Sequence, residues 1–175
     1  MKNVTAVLIT RKTEYPKEIQ LEGFGEILIR TESPSVLERY LLADKAKCDA
    51  IYFQDDDCLV DYKELYKRYD GTLTNCMTEH HQSVYKSKGA TLVGWGCFFP
   101  KTMLVSLSAY IDKYGVDAHL LRDADRIFTV LNQPHNTWIT GHQDLTTASD
   151  GSRMWQESNH WTSMEEAIAK AKSLL

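Results

Sequence analysis

Three consecutive aspartates, Asp55 to Asp57, follow an apolar run at 51–53 with only Gln54 between them. Adjacent carboxylates repel one another, and a divalent cation removes that cost because Mg²⁺ and Mn²⁺ prefer hard oxygen ligands. In an extended turn Asp55 and Asp57 project to the same side, so that one could hold a ribose and the other a metal. The alternative is a solvated acidic turn before the next helix. An EF-hand is excluded, because Val60 and Tyr66 stand where its glycine and its last glutamate belong.

A second group with chemical potential is the run LVGWGCFFPK at 92–101. Gly94 and Gly96 leave the backbone bare on both sides of Trp95, which offers a large flat surface. Such a surface suits the stacking of a sugar ring or the close approach of an acceptor. The alternative is a twisted strand that carries a β-bulge.

Two further aspartates, Asp123 and Asp125, flank an apolar stripe in the segment LLRDADRIF at 120–128. Either carboxylate could face a cleft and act as a base or nucleophile. Because Arg122 and Arg126 are interleaved with them, the alternative is a set of exposed ion pairs.

Histidines in the later part of the chain are candidate metal ligands. His142 and His160 lie in predicted loops, where a neutral imidazole could complete the coordination of Mn²⁺ or contact a diphosphate. Arg153, in the same loop as His160, could neutralise phosphate charge. The alternative for each histidine is a structural or surface role.

The elements that must position these residues alternate between strand and helix. β-Branched and aromatic runs predict strands at 4–10, 26–31, 49–54, 72–78, 91–99 and 136–140. Helical spacing predicts helices at about 35–46, 61–71, 103–115, 118–131 and 163–175. This alternation indicates an α/β fold, a sheet with helices on both faces, within one domain spanning 1–175. In such sheets ligands bind beyond the carboxyl ends of the strands, where Asp55 to Asp57 are expected.

Three details of the helices are specific enough to check. The helix at 35–46 is expected to bury Val36, Leu37, Tyr40 and Leu41. Asp61 is expected to cap the next helix, and Gly71 and Gly115 to end two helices. In the last helix, Ser163 and Glu166 read as a capping box, and Met164, Ile168, Ala171 and Leu175 read as its apolar stripe.

Composition limits the classes of partner. With 20 basic and 24 acidic residues the net charge is -4, which argues against a broad nucleic-acid-binding face. No apolar run is long enough to span a bilayer, and no signal peptide is recognisable, so the expected location is the cytoplasm, or a host cytoplasm if the chain is viral. Four cysteines without CxxC spacing are expected to stay reduced, mostly in the core.

The ordered set of these motifs resembles a glycosyltransferase of the GT-A fold, and it is most similar to the exostosin-type catalytic domain. The resemblance spans about 4–161 and rests on five pieces in order: the strand VLITR, the DDD that ends a strand, GWGCFF, DADR, and MWQESNH. It implies a mixed sheet flanked by helices, a UDP- or GDP-sugar donor, and Mn²⁺ or Mg²⁺ as the cofactor.

The resemblance also implies roles for individual residues. Arg11 would lie near the base, Asp55 and Asp56 on the donor side, and Asp57 on the metal, with Asp55 and either His160 or His142 as further ligands. Arg153 would face the diphosphate, Gly94, Trp95 and Gly96 the acceptor, and Asp125 or Asp123 the sugar carbon that reacts. The acceptor would be a hydroxyl, on a saccharide or on a modified nucleic-acid base.

Two other functions fit parts of the pattern. A sugar-nucleotide nucleotidyltransferase also places aspartates around Mg²⁺ after a strand, but it would normally open with a glycine-rich loop, and here the first strand runs into TRKTEYP. A non-catalytic module that binds a nucleotide or Ca²⁺ at the acidic turn is the third reading. The chain is shorter than most exostosin-type enzymes, so insertions that bind the acceptor are expected to be trimmed or absent. DADR aligns in more than one register, so the catalytic acid and the stereochemistry stay open.

Overall fold

The sheet is built on an apolar strand near the start of the chain, all of whose residues are buried. The structure, a computed structural model, describes residues 1–76, 90–91, 93–133, 135–137, 143–145 and 159–175. In these ranges the strands are β1 (Val4–Ile9), β2 (Glu26–Arg30), β3 (Ala50–Gln54), β4 (Cys58–Leu59), β5 (Thr74–Cys76), β6 (Cys97–Pro100), β7 (His135–Thr137) and β8 (Gln143–Asp144).

Six of these strands form one mixed sheet in the order β2-β1-β3-β6-β5-β7, and β4 pairs separately with β8. β1 runs parallel to both β2 and β3, whereas β6 runs antiparallel to β3 and β5. Because β1 and β3 are parallel and in register, with Leu8 opposite Gln54, both end at the same edge of the sheet. The segment after β3 therefore begins beside the end of β1.

Five α-helices flank this sheet in the described ranges: α1 (Glu38–Asp44), α2 (Tyr62–Lys67), α3 (Val105–Tyr114), α4 (Ala118–Asn132) and α5 (His160–Lys172). A 3-10 turn, Lys101–Leu104, leads into α3. The expected α/β domain with a mixed open sheet and flanking helices is therefore confirmed at this level. Its assignment to the GT-A fold stays a prediction.

Alternating residues of the strands supply two separate hydrophobic cores, because successive side chains of a strand point to opposite faces. On one face, which we call the helix-rich core, Ile51, Phe53 and Phe99 pack against residues of α1, α3, α4 and α5. On the other face, Tyr52 and Phe98 pack against Tyr62 and Leu65 of α2. Both sides of β3 are thus covered by helices.

The first helix is shorter than expected, and three of its four predicted core residues, Val36, Leu37 and Tyr40, are buried as expected. α1 covers Glu38–Asp44 instead of 35–46, and Leu41 is 48% exposed rather than buried. Arg39 is buried instead, at 4% exposure. The buried positions 36, 39, 40 and 43 have the i, i+3, i+4, i+7 spacing of one helical face, and Leu41 falls outside that stripe.

The capping box predicted for the last helix is wrong. α5 begins at His160, so Ser163 lies inside the helix, and its hydroxyl donates to Asp123 Oδ2 at 2.8 Å. Glu166 pairs with His119 of α4 at 3.4 Å instead of reaching back to a helix terminus. Leu175 is 71% exposed, since it follows the end of the helix. Buried Met164, Ile168 and Ala171 confirm the rest of the stripe, which packs α5 against α4.

Several boundaries move for local reasons. The strand expected at 91–99 is reduced to β6, because Gly94 and Trp95 form a turn and Gly96 has a φ of +99°. Asp61 caps α2 as expected, accepting from the N–H of Glu64, but α2 ends at Lys67 instead of Gly71. Gly115 ends α3 as expected, with a φ of +74°. Residues 77–78 and 138–140 of two predicted strands lie outside the described residues.

The four cysteines are free thiols, three of them buried, whereas Cys48 is partly exposed. None of the helices in the described ranges combines the length and the hydrophobicity needed to cross a bilayer.

At the junction between α4 and α5, the contribution of Asp117 to the stability of the fold should depend on pH. Asp117 accepts from the N–H of Leu120 at 2.8 Å and from Lys170 at 2.7 Å. Burial alone would raise the pKa of Asp117, but these bonds outweigh it and hold that pKa below its ordinary value. A lowered pKa stabilises the fold above the unfolded-state pKa of about 4, and the contribution is lost as the pH falls through the folded-state pKa.

We expect Asp117→Asn to lower the free energy of unfolding by about 1 kcal/mol or less at pH 7, because asparagine keeps the cap and loses the ion pair. Urea unfolding at pH 7 and pH 3 measures the difference, which should shrink at pH 3. Asp112→Asn, at an exposed position of α3, is the control and should show little difference at either pH. A deficit of Asp117→Asn that is equal at both pH values contradicts the charged pair.

Candidate functional site

The aspartate triplet is held in place by its own main chain. The N–H of Asp55 donates to the carbonyl oxygen of Gly94 at 2.7 Å, and the carbonyl oxygen of Asp57 accepts from the N–H of Leu145 at 2.7 Å. Asp55, Asp56 and Asp57 are all partly exposed at the carboxyl end of β3. The turn therefore has a defined path and presents three carboxylates at the edge where β1 and β3 end.

A buried arginine organises the first carboxylate of the triplet. Arg39, from α1, donates through Nη2 to Oδ1 of Asp55, and its Nη1 lies 3.4 Å from Oδ2 of Asp125 in α4. Its guanidinium also lies over the ring of Phe53, 5.5 Å from the centroid. One cation thus joins two carboxylates that come from a strand end and from a helix.

The charges of this cluster are set by burial and by one another. Burial alone would lower the pKa of Arg39, but Asp125 and Asp55 outweigh burial and raise it, so the guanidinium stays charged. Burial raises the pKa of Asp125, and Arg39 opposes that shift. The hydroxyl of Tyr40 donates to Oδ1 of Asp125 at 2.8 Å, and the pKa of that tyrosine is raised by burial and then by Asp125. The tyrosine is consequently a neutral donor.

The loop of Gly94 packs directly on the carboxylate of Asp55. A Cβ atom at residue 94 would lie 1.8 Å from Oδ2 of Asp55, a distance that no side chain tolerates. The thiol of Cys58 contacts the carbonyl oxygen of Gly94 at 3.6 Å, and burial raises the pKa of this thiol. Position 94 therefore needs glycine because of contact with the triplet.

The segment between β1 and β2 closes the other side of the triplet. The hydroxyl of Thr10 donates to Oδ2 of Asp56, and the hydroxyl of Tyr15 donates to the carbonyl oxygen of Asp55 at 3.1 Å. Burial, followed by Asp55, raises the pKa of Tyr15. Arg11, predicted to lie near the base, is exposed next to Thr10.

The two aspartates of DADR have different surroundings. Asp125 joins the cluster of Arg39, whereas Asp123 faces α5 and is fully buried, with Ser163 as its donor. The alternative of exposed ion pairs is therefore wrong for both, because Asp125 is only 6% exposed. A catalytic role for either residue stays a prediction.

The remaining predicted residues are dispersed. His160 is buried at the start of α5, with its ring 5.1 Å from that of Trp161. Trp95 is half-buried and packs against the core on the α2 side. A Cβ at Gly96 would lie 2.7 Å from Val60, so this glycine also serves a close approach. His142 and Arg153 lie outside the described residues.

The donor chemistry at the triplet fits a hard divalent cation. Within the part of the chain that the structure describes, no group of three or more His, Cys, Asp or Glu side chains is arranged to hold a metal. Mg²⁺ in nucleotide enzymes, however, is usually bound by one or two carboxylates, by water and by substrate phosphates. Partly exposed Asp56 and Asp57 supply two such carboxylates, one of which also accepts from Thr10 through Oδ2 of Asp56, while Oδ1 of Asp55 accepts from Arg39.

Sequence reasoning missed the residues that organise the site, namely Arg39, Tyr40, Thr10 and Tyr15. Arg39 carried a usable signal, because its spacing of three from Val36 places it on the buried face of α1. A buried arginine requires a carboxylate partner, and the triplet would have been the natural candidate. Tyr15 carried no such signal, since it lies in a segment without regular structure.

Searches against protein-family models and against curated proteins find no match for this chain. Fold and site together define an α/β domain with a mixed open sheet and a carboxylate cluster at the carboxyl end of its central parallel strands.

Removing the buried guanidinium should be strongly destabilising. We expect Arg39→Met to lower the free energy of unfolding by about 3 to 5 kcal/mol, because Asp55 and Asp125 lose their shared cation. Arg68→Met is the matched control, since Arg68 is exposed and pairs with Glu64 at 3.3 Å; its cost should not exceed about 1 kcal/mol. Chemical denaturation measures both. Equal costs would contradict the central role of Arg39, and adding Asp125→Asn to Arg39→Met should recover part of the loss.

A methyl group added at residue 94 should destabilise the fold through its contact with Asp55. We expect Gly94→Ala to cost about 1 to 3 kcal/mol, because the loop and the carboxylate must separate. The cost should fall when Asp55 is also alanine, as measured by a double-mutant cycle in urea. Gly71→Ala is the control, since Gly71 has a φ of +90° and no atom within 4 Å of an added Cβ; its cost is torsional and should not depend on Asp55. A Gly94→Ala cost that is the same in both backgrounds would refute the contact.

Proposed function

We propose that the protein is a metal-dependent glycosyltransferase that moves a sugar from a nucleoside-diphosphate sugar to a hydroxyl acceptor. The observation that carries the proposal is the position of Asp55 to Asp57 directly after β3, where the parallel strands β1 and β3 both end. In open α/β sheets, ligands bind beyond the carboxyl ends of the strands. The ordered resemblance to exostosin-type domains supports the same function.

The donor would lie across this edge. Asp57 would hold Mn²⁺ or Mg²⁺ together with the diphosphate, and the bound ion would supply the positive charge that stabilises the departing diphosphate. Asp55 keeps acceptor capacity beyond its bond to Arg39, because a carboxylate offers about four lone-pair sites, and a ribose hydroxyl is a donor of the right kind. Arg11, exposed beside Thr10, is available to the base of a UDP- or GDP-sugar.

Pre-organisation is the main contribution of the surrounding residues. Arg39 holds the carboxylate of Asp55, Thr10 holds that of Asp56, and Gly94 fixes the backbone at Asp55. A site with fixed dipoles and charges spends little free energy on rearrangement when charge develops on the leaving group. In this proposal Asp125, a candidate catalytic residue from the sequence, acts instead as a positioning residue, because it pairs with Arg39 and is itself held by the hydroxyl of Tyr40.

The acceptor would approach from the side of the turn that contains Gly94 and Trp95. The half-buried ring of Trp95 offers a surface on which a sugar ring or a base could stack, which fits a saccharide or a modified nucleic-acid base.

The proposal predicts donor turnover that depends on one carboxylate. The protein is incubated with Mn²⁺ and a panel of UDP- and GDP-sugars, and release of nucleoside diphosphate is measured with and without saccharide acceptors. We expect slow release from one donor, reduced at least about 100-fold by Asp57→Asn, because the metal loses a carboxylate ligand and no longer stabilises the departing diphosphate. Asp61→Asn is the matched control and should keep activity, since the side chain of Asp61 caps α2 and asparagine caps equally well.

The other outcomes identify the competing functions. Release of pyrophosphate from a nucleoside triphosphate and a sugar phosphate would contradict the glycosyltransferase proposal and indicate a nucleotidyltransferase. Tight nucleotide or Ca²⁺ binding without turnover of any donor would indicate a binding module.

A further inference from the structure

The first strand of the sheet order, β2, has an open outer edge among the described strands. It pairs with β1 on one side, and none of the described strands pairs with its other side. An edge strand presents a row of backbone donors and acceptors to any chain that approaches, and proteins usually protect such edges with charged side chains, proline or a bulge. The sequence of β2, EILIR, has no proline, and its two charged residues stand only at the ends of the strand.

The side chains of β2 are unusually apolar for an exposed edge. Ile27 is 43% exposed and Ile29 is 51% exposed, and both lie on the same face of the strand. Leu28, between them, packs on the helix-rich core of the other face. Two exposed isoleucines in alternate positions form a small apolar ridge that runs along the edge.

The backbone of β2 directs hydrogen-bonding groups of alternate residues towards its outer side. The N–H of Thr10 donates to the carbonyl oxygen of Arg30, so Arg30 directs its polar groups towards β1. In a parallel pair, alternate residues point their N–H and C=O to opposite sides of the strand. Ile27 and Ile29 therefore turn their N–H and C=O groups outward.

The sequence of the strand is complementary to itself in the antiparallel sense. When a second EILIR segment is centred on Leu28, Ile27 lies opposite Ile29 of the other copy, and Glu26 lies opposite Arg30. The two Ile27–Ile29 pairs are then hydrogen-bonded pairs, which gives four backbone bonds, and the two Leu28 residues meet on the two-fold axis.

The charges at the ends of the strand fit the same register. Glu26 accepts from the hydroxyl of Thr5 at 3.0 Å and from the N–H of Lys47 at 2.9 Å, and the pKa of this carboxylate lies below its ordinary value, led by the bond from the N–H of Lys47. The ammonium group of Lys47 lies 3.6 Å from the other carboxylate oxygen, so Arg30 of a second copy would share Glu26 with Lys47. Arg30 is exposed at the other end of β2. Opposite charges directly across an antiparallel pair are stabilising, and a shifted register would lose them.

We propose that this surface binds a second copy of the chain, through antiparallel pairing of β2 with β2 across a two-fold axis. The two six-stranded sheets then form one continuous sheet. The strand pair alone buries less than the roughly 1,200 Å² of a standard interface, so we expect a weak dimer that dissociates at low protein concentration. The triplet after β3 lies two strands from this edge and stays accessible.

Sedimentation equilibrium over about 1 µM to 1 mM, a range that spans weak to moderate affinity, tests the proposal on the whole chain. Hydrogen exchange of the Ile27 and Ile29 amides, followed over the same range, reports on the strand itself. We expect a monomer–dimer equilibrium, with both amides exchanging more slowly as the dimer fills. A monomer throughout, or amide exchange that does not change with concentration, overturns the proposal.

Two matched variants test the register. In Ile27→Lys with Ile29→Lys, like charges face one another across the axis, and dimerisation should weaken at least about 10-fold. In Ile27→Lys with Ile29→Glu, opposite charges face one another, and dimerisation should be restored relative to the first variant. Both pairs change only exposed positions, and circular dichroism checks that the fold is kept. A dimer that is unaffected by the two lysines, or equal dimerisation of the two variants, overturns the proposed pairing.

Discussion

The arrangement around the aspartate triplet depends on one buried cation. Arg39 is almost fully removed from solvent, and burial of an unpaired guanidinium would be prohibitive. Its two carboxylate partners, Asp55 and Asp125, come from the end of β3 and from α4. The ion-pair cluster therefore fixes α1 and α4 relative to the carboxyl end of β3. Buried ion pairs add little net stability, but they specify one geometry when every partner is present.

The fold was largely predictable from sequence because its signals are local. β1 and β3 are uninterrupted apolar runs, α4 has a clear helical stripe, and Asp61 and Gly115 mark helix boundaries where simple capping chemistry places them. The errors occurred where tertiary contacts override a local pattern. Ser163 and Glu166 match a capping box by spacing, yet α4 offers Asp123 and His119 as partners inside the helix.

The site was only half predictable, for a related reason. The triplet stands out in the sequence, since no folding rule requires three carboxylates after a buried strand. Thr10 and Tyr15 do not stand out, because threonines and tyrosines are common in surface segments, whereas the spacing of Arg39 from Val36 did mark it as buried. Their roles follow from which chain segments meet at the end of β3, and spacing along the sequence does not encode that meeting. Gly94 is intermediate, because a glycine signals close approach without naming what approaches.

The contact between Tyr40 and Asp125 joins residues 85 positions apart, and Gly94 reaches Asp55 across the middle of the chain. Each of these contacts closes a long loop, and closing a longer loop costs more chain entropy. The polar cluster consequently needs chain segments that are far apart in the sequence to be docked together. A nascent chain that has not yet supplied α4 has Arg39 and the triplet but lacks Asp125, so the cluster is complete only after α4 has packed on the sheet.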